Sequence, residues 1–116
     1  MRREDAIRVR HMLDAAREAL SFAKGKTRAD LNTDRMLVLS LIKSIEIVGE
    51  AATSVTQETR DHYPLIPWRD IVGMRNRLIH VYFDIDLDRA WDTLTDDLPK
   101  LIAKLEQVMQ KEQGGK

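Results

Sequence analysis

An all-α fold, arranged as an up-and-down bundle of four helices, is predicted for this chain by three observations. Apolar residues recur at spacings of three and four in four separate segments, which is the period of an amphipathic helix. Aromatic residues make up only 5% of the chain and β-branched runs are few, which disfavours a β-sandwich. The segments are joined by short connections, as in bundles of neighbouring antiparallel helices.

The first two helices are predicted in the amino-terminal half. The first runs over about residues 4–24, and Gly25 is a natural stop because glycine tolerates the left-handed conformation that ends many helices. The second runs from about Thr33 or Asp34 to about Glu58 and is apolar nearly all round. We therefore expect it to be buried on most sides, either centrally or at a subunit contact.

The third and fourth helices are predicted in the carboxyl-terminal half. The third starts near Pro67, a residue suited to a first helical turn, and continues through Tyr82. The fourth runs from about residues 86–88 to about Lys111, and its apolar residues repeat at spacings of three and four. Pro99 interrupts this repeat, so we expect the last helix to be kinked or split there.

The composition describes one domain over residues 1–116, with a tail at about 112–116 that we expect to be frayed. The absence of cysteine excludes disulfides, thiolate metal sites and a cysteine nucleophile. The 19 basic and 19 acidic residues balance, which argues against a general nucleic-acid coat but leaves room for a local basic patch. No apolar stretch is long enough to span a membrane and the first segment is charged throughout, so we expect a cytoplasmic protein.

The segment Arg75–Tyr82, with the sequence RNRLIHVY, carries the chemistry of the chain. It places a guanidinium, a carboxamide, an imidazole and a phenol within two turns of the third predicted helix. Such groups can hold a phosphodiester and move its proton without a metal. We therefore expect neither a metal site nor a cofactor.

The spacing of these side chains predicts a site shared between two copies of the chain. On an ideal helix Asn76 and His80 lie on one face, and Arg75 and Tyr82 share a stripe. Arg75 and His80 are five residues apart and diverge by about 140°. One helix presents them poorly as a single pocket, whereas two helices meeting across a two-fold axis would bring them together.

In such a pocket the residues fit cleavage of RNA by its own 2′-hydroxyl. His80 would take the hydroxyl proton or protonate the leaving oxygen, and Arg75 would bind the non-bridging oxygens and the charge that develops on them. Asn76 would position His80 or the phosphate. Tyr82 would hydrogen-bond the phosphate or stack on a base.

Arg69 and Arg77 add positive charge to the same helix, opposed there mainly by Asp70. We assign both arginines to substrate binding. The structural alternative is that the arginines form a solvated helix face and that His80 is a histidine favoured near a helix end by the helix dipole.

Two further charge patterns leave alternatives open. Glu46 and Glu50 lie four residues apart in the second helix, where they either pair with Arg75 or Arg77 or occupy an exposed strip. Four aspartates recur every four residues. They form a docking stripe for a basic partner, an intramolecular counter-charge to the arginines or, as we prefer, a solvated face: Asp84, Asp88, Asp92 and Asp96.

The pattern Arg-x4-His-x-Tyr, filled by Arg75, His80 and Tyr82, resembles the signature of HepT-like toxins of the HEPN superfamily. The surrounding residues resemble that family too, over nearly the whole chain: Ile47-Val48-Gly49-Glu50-Ala51, Ile66-Pro67-Trp68, Gly73-Met74-Arg75-Asn76 and Leu98-Pro99. The resemblance implies an all-helical homodimer that acts as a metal-independent ribonuclease toxin. It also implies Arg75 and His80 as the catalytic pair, with Asn76 assisting.

The resemblance further implies a neutralising partner, a small nucleotidyltransferase of the MntA type. Such a partner would add AMP to Tyr82 and thereby place bulk and negative charge beside Arg75 and His80. Two other readings remain open at this point. The chain could be a non-catalytic nucleotide- or RNA-binding subunit of a nucleotidyltransferase, or a purely structural helical dimer.

Overall fold

The structure, a computed structural model, describes residues 1–81 and 84–114, with the backbone alone for His80, Val81 and Gly114. Its α-helices are α1 (Arg3–Phe22), α2 (Arg35–Thr53), α3 (Gln57–His62), α4 (Trp68–Leu78), α5 (Leu87–Asp92) and α6 (Leu98–Gly114). The other elements are a 3-10 turn (Arg28–Asn32), a π-helical turn (Thr93–Asp97) and an antiparallel hairpin of β1 (Ile79–Val81) and β2 (Asp84–Ile85).

The predicted all-α bundle is confirmed. α1 packs along α2 and α6, and α2 also packs on α4, so that α2 lies between two neighbours. The apolar stripe predicted for the last helix is buried in this core, together with the stripes of α1, α2 and α4. Its buried members are Leu94, Leu98, Leu101, Leu105 and Val108.

Local signals mark several helix ends. Gly25 follows α1 with a φ of 77°, a left-handed conformation that glycine adopts without steric cost. The side chain of Asp34 accepts a hydrogen bond of 3.0 Å from the backbone nitrogen of Leu37 and so caps the start of α2. Asp86 caps α5 in the same way, through the backbone nitrogen of Arg89.

The prediction that the second helix extends to about Glu58 was wrong, because α2 ends at Thr53 and the separate helix α3 begins at Gln57. The buried carboxylate of Asp5, in α1, explains the break. It accepts hydrogen bonds from the backbone nitrogen of Thr56 at 3.0 Å and from its hydroxyl at 2.5 Å. These bonds to α1 take the place of a helical hydrogen bond at Thr56, whose own hydroxyl then caps α3.

The prediction that the third helix continues through Tyr82 was also wrong. α4 ends at Leu78, and the chain turns into β1, whose Ile79 pairs with Ile85 of β2. The backbone nitrogen of Asp86 donates to the Leu78 carbonyl at 2.7 Å, which closes the hairpin onto the helix end. Asn76 and His80 therefore do not share a helical face, and the angles drawn on an ideal helix do not apply beyond Leu78.

The last helix is split before Pro99, as predicted. Pro99 has no amide hydrogen for the carbonyl four residues earlier, and the π-helical turn Thr93–Asp97 precedes it. α6 then continues to Gly114, past the position near residue 112 where we expected fraying. Over the described residues, no helix combines the length and apolar character that a bilayer span requires.

Candidate active site

A surface groove of about 370 Å³ between α2 and α4 brings Arg75 and Asn76 together with residues of α2. α2 and α4 pack against each other at Gly49, where a built Cβ would lie at an ordinary contact distance of 3.4 Å from the carbonyl oxygen of Ile71. The lining consists of Glu46, Gly49, Glu50, Thr53, Val72, Arg75 and Asn76.

The guanidinium of Arg75 is held by Glu46. The Nε of Arg75 donates to Oε2 of Glu46 at 2.9 Å, and the other carboxylate oxygen accepts from Nζ of Lys43 at 3.1 Å. Within the described residues, no hydrogen bond or ion pair engages the two Nη atoms of Arg75. Since the Arg75 side chain is 44% exposed, these atoms are available to a ligand in the groove.

The same contacts keep Glu46 ionised. Hydrogen bonds from Lys43 and, more weakly, from Arg75 lower the pKa of Glu46 below its ordinary value, although partial burial acts in the opposite direction. Glu50 is exposed and makes no ion pair with a described residue. Of the two alternatives left open for these glutamates, pairing with Arg75 thus holds for Glu46 and the exposed strip holds for Glu50.

Arg69 borders a neighbouring depression, which shares Val72 with the Arg75 groove. The guanidinium of Arg60 lies there as well. It donates to the carbonyl of Ala52 at 2.7 Å near the end of α2, and it lies 5.9 Å from the ring centre of Trp68. The two depressions adjoin along α2, α3 and α4, and their lining contains three arginines and three carboxylates.

Arg77 lies on the other side of α4. It donates from Nη2 to the carbonyl of Asp70 at 2.6 Å and lines a groove shared with α6. On a helix, residues two apart point about 160° away from each other, which accounts for the separation of Arg75 from Arg77. The two substrate-binding candidates Arg69 and Arg77 therefore belong to different grooves.

His80 occupies an irregular position in the hairpin. Ile79 pairs with Ile85 and Val81 pairs with Asp84, so three residues of β1 face two of β2, and His80 is the extra one. Such a β-bulge redirects a side chain and is frequent beside active sites. The side chain of His80 and the whole of Tyr82, both named as site residues, lie outside the described residues.

The acidic stripe behaves as a solvated face. Asp84, Asp88, Asp92 and Asp96 are exposed, and Asp88 pairs with Arg28 at 2.7 Å. No group of three potential ligands for a metal ion is found in the part of the chain that the structure describes.

Sequence reasoning missed Lys43 and Arg60 as members of this region. Lys43 precedes Glu46 by three residues, and that spacing on a helix is the signal that could have identified the pair. Nothing in the sequence indicated Arg60, because its position depends on the break between α2 and α3.

Comparisons with known proteins agree with the resemblance seen in the sequence. A family model described as ribonuclease HepT-like matches residues 12–108. A putative RNase of Caldanaerobacter subterraneus subsp. tengcongensis is 32% identical over 102 residues, which cover 88% of this chain and 91% of that protein. No solved structure matches.

Two archaeal proteins are similar to the chain to the same degree. A putative RNase of Methanocaldococcus jannaschii is 33% identical over 97 residues, covering 84% of this chain and 89% of that protein. A probable ribonuclease HepT of Thermococcus cleftensis is 33% identical over 100 residues, covering 83% of this chain and 91% of that protein.

Proposed function

This chain belongs to the ribonuclease HepT-like family, and on that premise we propose that it is a metal-independent endoribonuclease. The proposal rests on one observation, the contacts made by the guanidinium of Arg75. Its guanidinium is fixed at Nε by Glu46, and no described residue engages either Nη atom, in a groove next to the helix end that leads to His80. A guanidinium presented in this way matches the geometry of a phosphate.

The reaction is attack of a ribose 2′-hydroxyl on the adjacent phosphorus. His80 removes the hydroxyl proton or delivers a proton to the departing 5′-oxygen, and Arg75 binds the non-bridging oxygens as negative charge develops on them. The new bond joins the 2′-oxygen to phosphorus and the bond to the 5′-oxygen breaks. The products are a 2′,3′-cyclic phosphate and a free 5′-hydroxyl. Asn76 lines the same groove and orients the phosphate or His80.

We place the active form as a homodimer, with the sites formed by residues of both protomers. The exposed face of α2 supports this assembly. Met36 is 80% exposed and Leu39 49% exposed, and on α2 they continue into Lys43 and Glu46 at spacings of three and four. Exposed apolar side chains that run into a functional groove are typical of an interaction surface.

In the cell, this ribonuclease acts as the toxin of a type VII-like toxin–antitoxin pair. The antitoxin is a nucleotidyltransferase of the MntA type that adenylylates Tyr82. Tyr82 follows His80 by two residues, so an attached AMP would bring negative charge close to the phosphate-binding groups and repel RNA.

Cleavage by purified protein tests the enzymatic proposal. Wild type, Arg75→Ala and His80→Ala would each be incubated with RNA in the presence of a chelator, and the products would be analysed for cyclic phosphate. We expect cleavage by the wild type alone. Equal cleavage by all three proteins would contradict the proposal. An inactive, unmodified wild type would favour the non-catalytic nucleotide- or RNA-binding subunit.

Intact-mass measurement tests the modification. With the nucleotidyltransferase and ATP, the mass of the wild type should rise by one or more AMP units, and that of Tyr82→Phe should not. The same mass increase in Tyr82→Phe would show that AMP is attached to a residue other than Tyr82.

A further inference from the structure

A basic groove runs along α6, on the side of α4 away from Arg75. Its wider part, about 560 Å³, lies between α4 and α6 and is lined by Arg77, Lys100 and Lys104. Its narrower part, about 210 Å³, continues past Lys104 to Lys111 and the loop before α4. We call this surface, defined by Arg77, Lys100, Lys104 and Lys111, the α6 groove.

The cations of the α6 groove outnumber the carboxylates that line it among the described residues. Among the described residues, no carboxylate forms an ion pair with any of the four, as is also true of other exposed cations such as Lys24 and Lys26. Two aspartates, Asp70 and Asp97, line the same groove against the four positive charges. The zero net charge of the whole chain therefore conceals a local positive surplus.

The arrangement of these charges fits a linear polyanion. Lys100, Lys104 and Lys111 follow at spacings of four and seven on α6, so they form one stripe that rises about 16 Å along the helix. Exposed His62, held edge-on by Tyr63 with 4.7 Å between ring centres, lines the end of the groove. A row of cations beside an accessible ring is how single-stranded nucleic acids are bound without sequence readout.

We infer that the α6 groove is a second RNA-binding surface. It holds phosphates of a single-stranded RNA whose cleaved bond lies in the groove of Arg75. This inference rests on the proposed function for the identity of the nucleic acid. Arg75 and Arg77 lie at the two edges of the exposed face of α4, with Arg69 and Asn76 exposed between them, so a strand that crosses α4 reaches both grooves. The groove thus favours substrates longer than the two nucleotides that flank the cleaved bond.

RNA binding by a protein that cannot cleave tests the inference. In a His80→Ala background, Lys100→Gln and Lys104→Gln would be combined, and the control would combine Lys24→Gln and Lys26→Gln, which remove the same charge from exposed positions. Fluorescence anisotropy would measure binding of a labelled single-stranded RNA of about twelve nucleotides and of a dinucleotide.

We expect the Lys100/Lys104 variant to bind the longer RNA about three- to tenfold more weakly, and its log–log salt slope to fall by about 1.4, because each lost phosphate contact removes about 0.7. Dinucleotide binding and the control should not change. Unchanged affinity and slope for the longer RNA would overturn the inference. So would a variant that keeps its RNA affinity but loses association with the nucleotidyltransferase, since the groove would then serve that protein. Because cleavage is not required, these results stand apart from the cleavage test.

Discussion

At the residue scale, the contact between Glu46 and Arg75 affects both the binding of an anion in the groove and the orientation of the guanidinium. A carboxylate beside a phosphate-binding guanidinium weakens the binding of an anion, yet it also fixes the guanidinium in one orientation. Since Glu46 contacts Nε and leaves both Nη atoms unengaged by described residues, orientation is the effect that would serve the proposed catalysis. In the proposed mechanism, Glu46 is thus a positioning residue that acts through Arg75.

Replacing Glu46 should separate these two effects. We expect Glu46→Gln to lower kcat about tenfold, equivalent to about 1.4 kcal/mol on the barrier, because Arg75 loses its fixed orientation. KM for RNA should stay constant or fall, since a negative charge leaves the groove. Steady-state cleavage kinetics would measure both, with Glu58→Gln at an exposed site on α3 as the control. A raised KM with unchanged kcat would argue against a positioning role.

Asp5 supplies a pH-dependent part of the stability. Burial disfavours its charged form, but hydrogen bonds from Thr56 and Thr59 outweigh burial and lower the pKa of Asp5 below its ordinary 3.8. A group whose pKa is lower in the folded than in the unfolded chain stabilises the fold above the unfolded pKa. This contribution is lost as the pH falls through the folded pKa.

Urea unfolding at two pH values would measure that contribution. Asp5→Asn places an amide donor among three donors, so we expect the free energy of unfolding to drop by about 1–3 kcal/mol at pH 7. The difference from wild type should shrink as the pH is lowered below 3.8. Asp14→Asn, at an exposed position, serves as the control. An equal difference at both pH values would contradict the linkage.

At the element scale, the end of α4 shows where prediction from the sequence stops. The apolar period predicted the four main helical segments and Pro99 predicted the split of the last one, because both are local properties of the chain. The exit of α4 into a hairpin depends instead on pairing of Ile79 with Ile85, a contact made after a turn. Isoleucine and valine suit both buried helix and strand, so the residue pattern alone did not distinguish them.

The packing of α2 on α4 leads to a second prediction about the stability of the fold. At Gly49 a Cβ fits at ordinary contact distance from α4, so Gly49→Ala should be neutral or should stabilise by up to about 1 kcal/mol through helix propensity. Gly49→Val has no room for its two methyl groups and should destabilise by about 1–3 kcal/mol. Thermal unfolding of both variants would measure the contrast. Equal melting temperatures for the two variants would show that α2 and α4 do not pack closely at this position.

At the scale of the whole molecule, the balance of charge says little about where the charges lie. The sequence was compatible with a local basic patch, but the composition does not predict where on the surface such a patch lies. The division into an Arg75 groove and an α6 groove follows from the path of the helices, which brings α6 lysines beside Arg77 and α2 glutamates beside Arg75. Contacts between elements distant in the sequence create both surfaces.

The proposed assembly of the site from two protomers also belongs to the scale of the whole molecule, and mixing two inactive variants tests it. If Arg75 of one protomer works with His80 of the other, a dimer of an Arg75→Ala and a His80→Ala chain has one complete site and one empty site. Random exchange makes about half of the dimers mixed, so cleavage should recover to about a quarter of the wild-type rate.

The controls follow from the same geometry. Each variant refolded alone should stay inactive, and a chain carrying both substitutions, mixed with either single variant, should restore nothing. If each protomer builds its site from its own Arg75 and His80, mixed dimers contain no complete site and no activity returns. Absence of recovery in samples shown by native mass spectrometry to contain mixed dimers would therefore assign the site to single protomers.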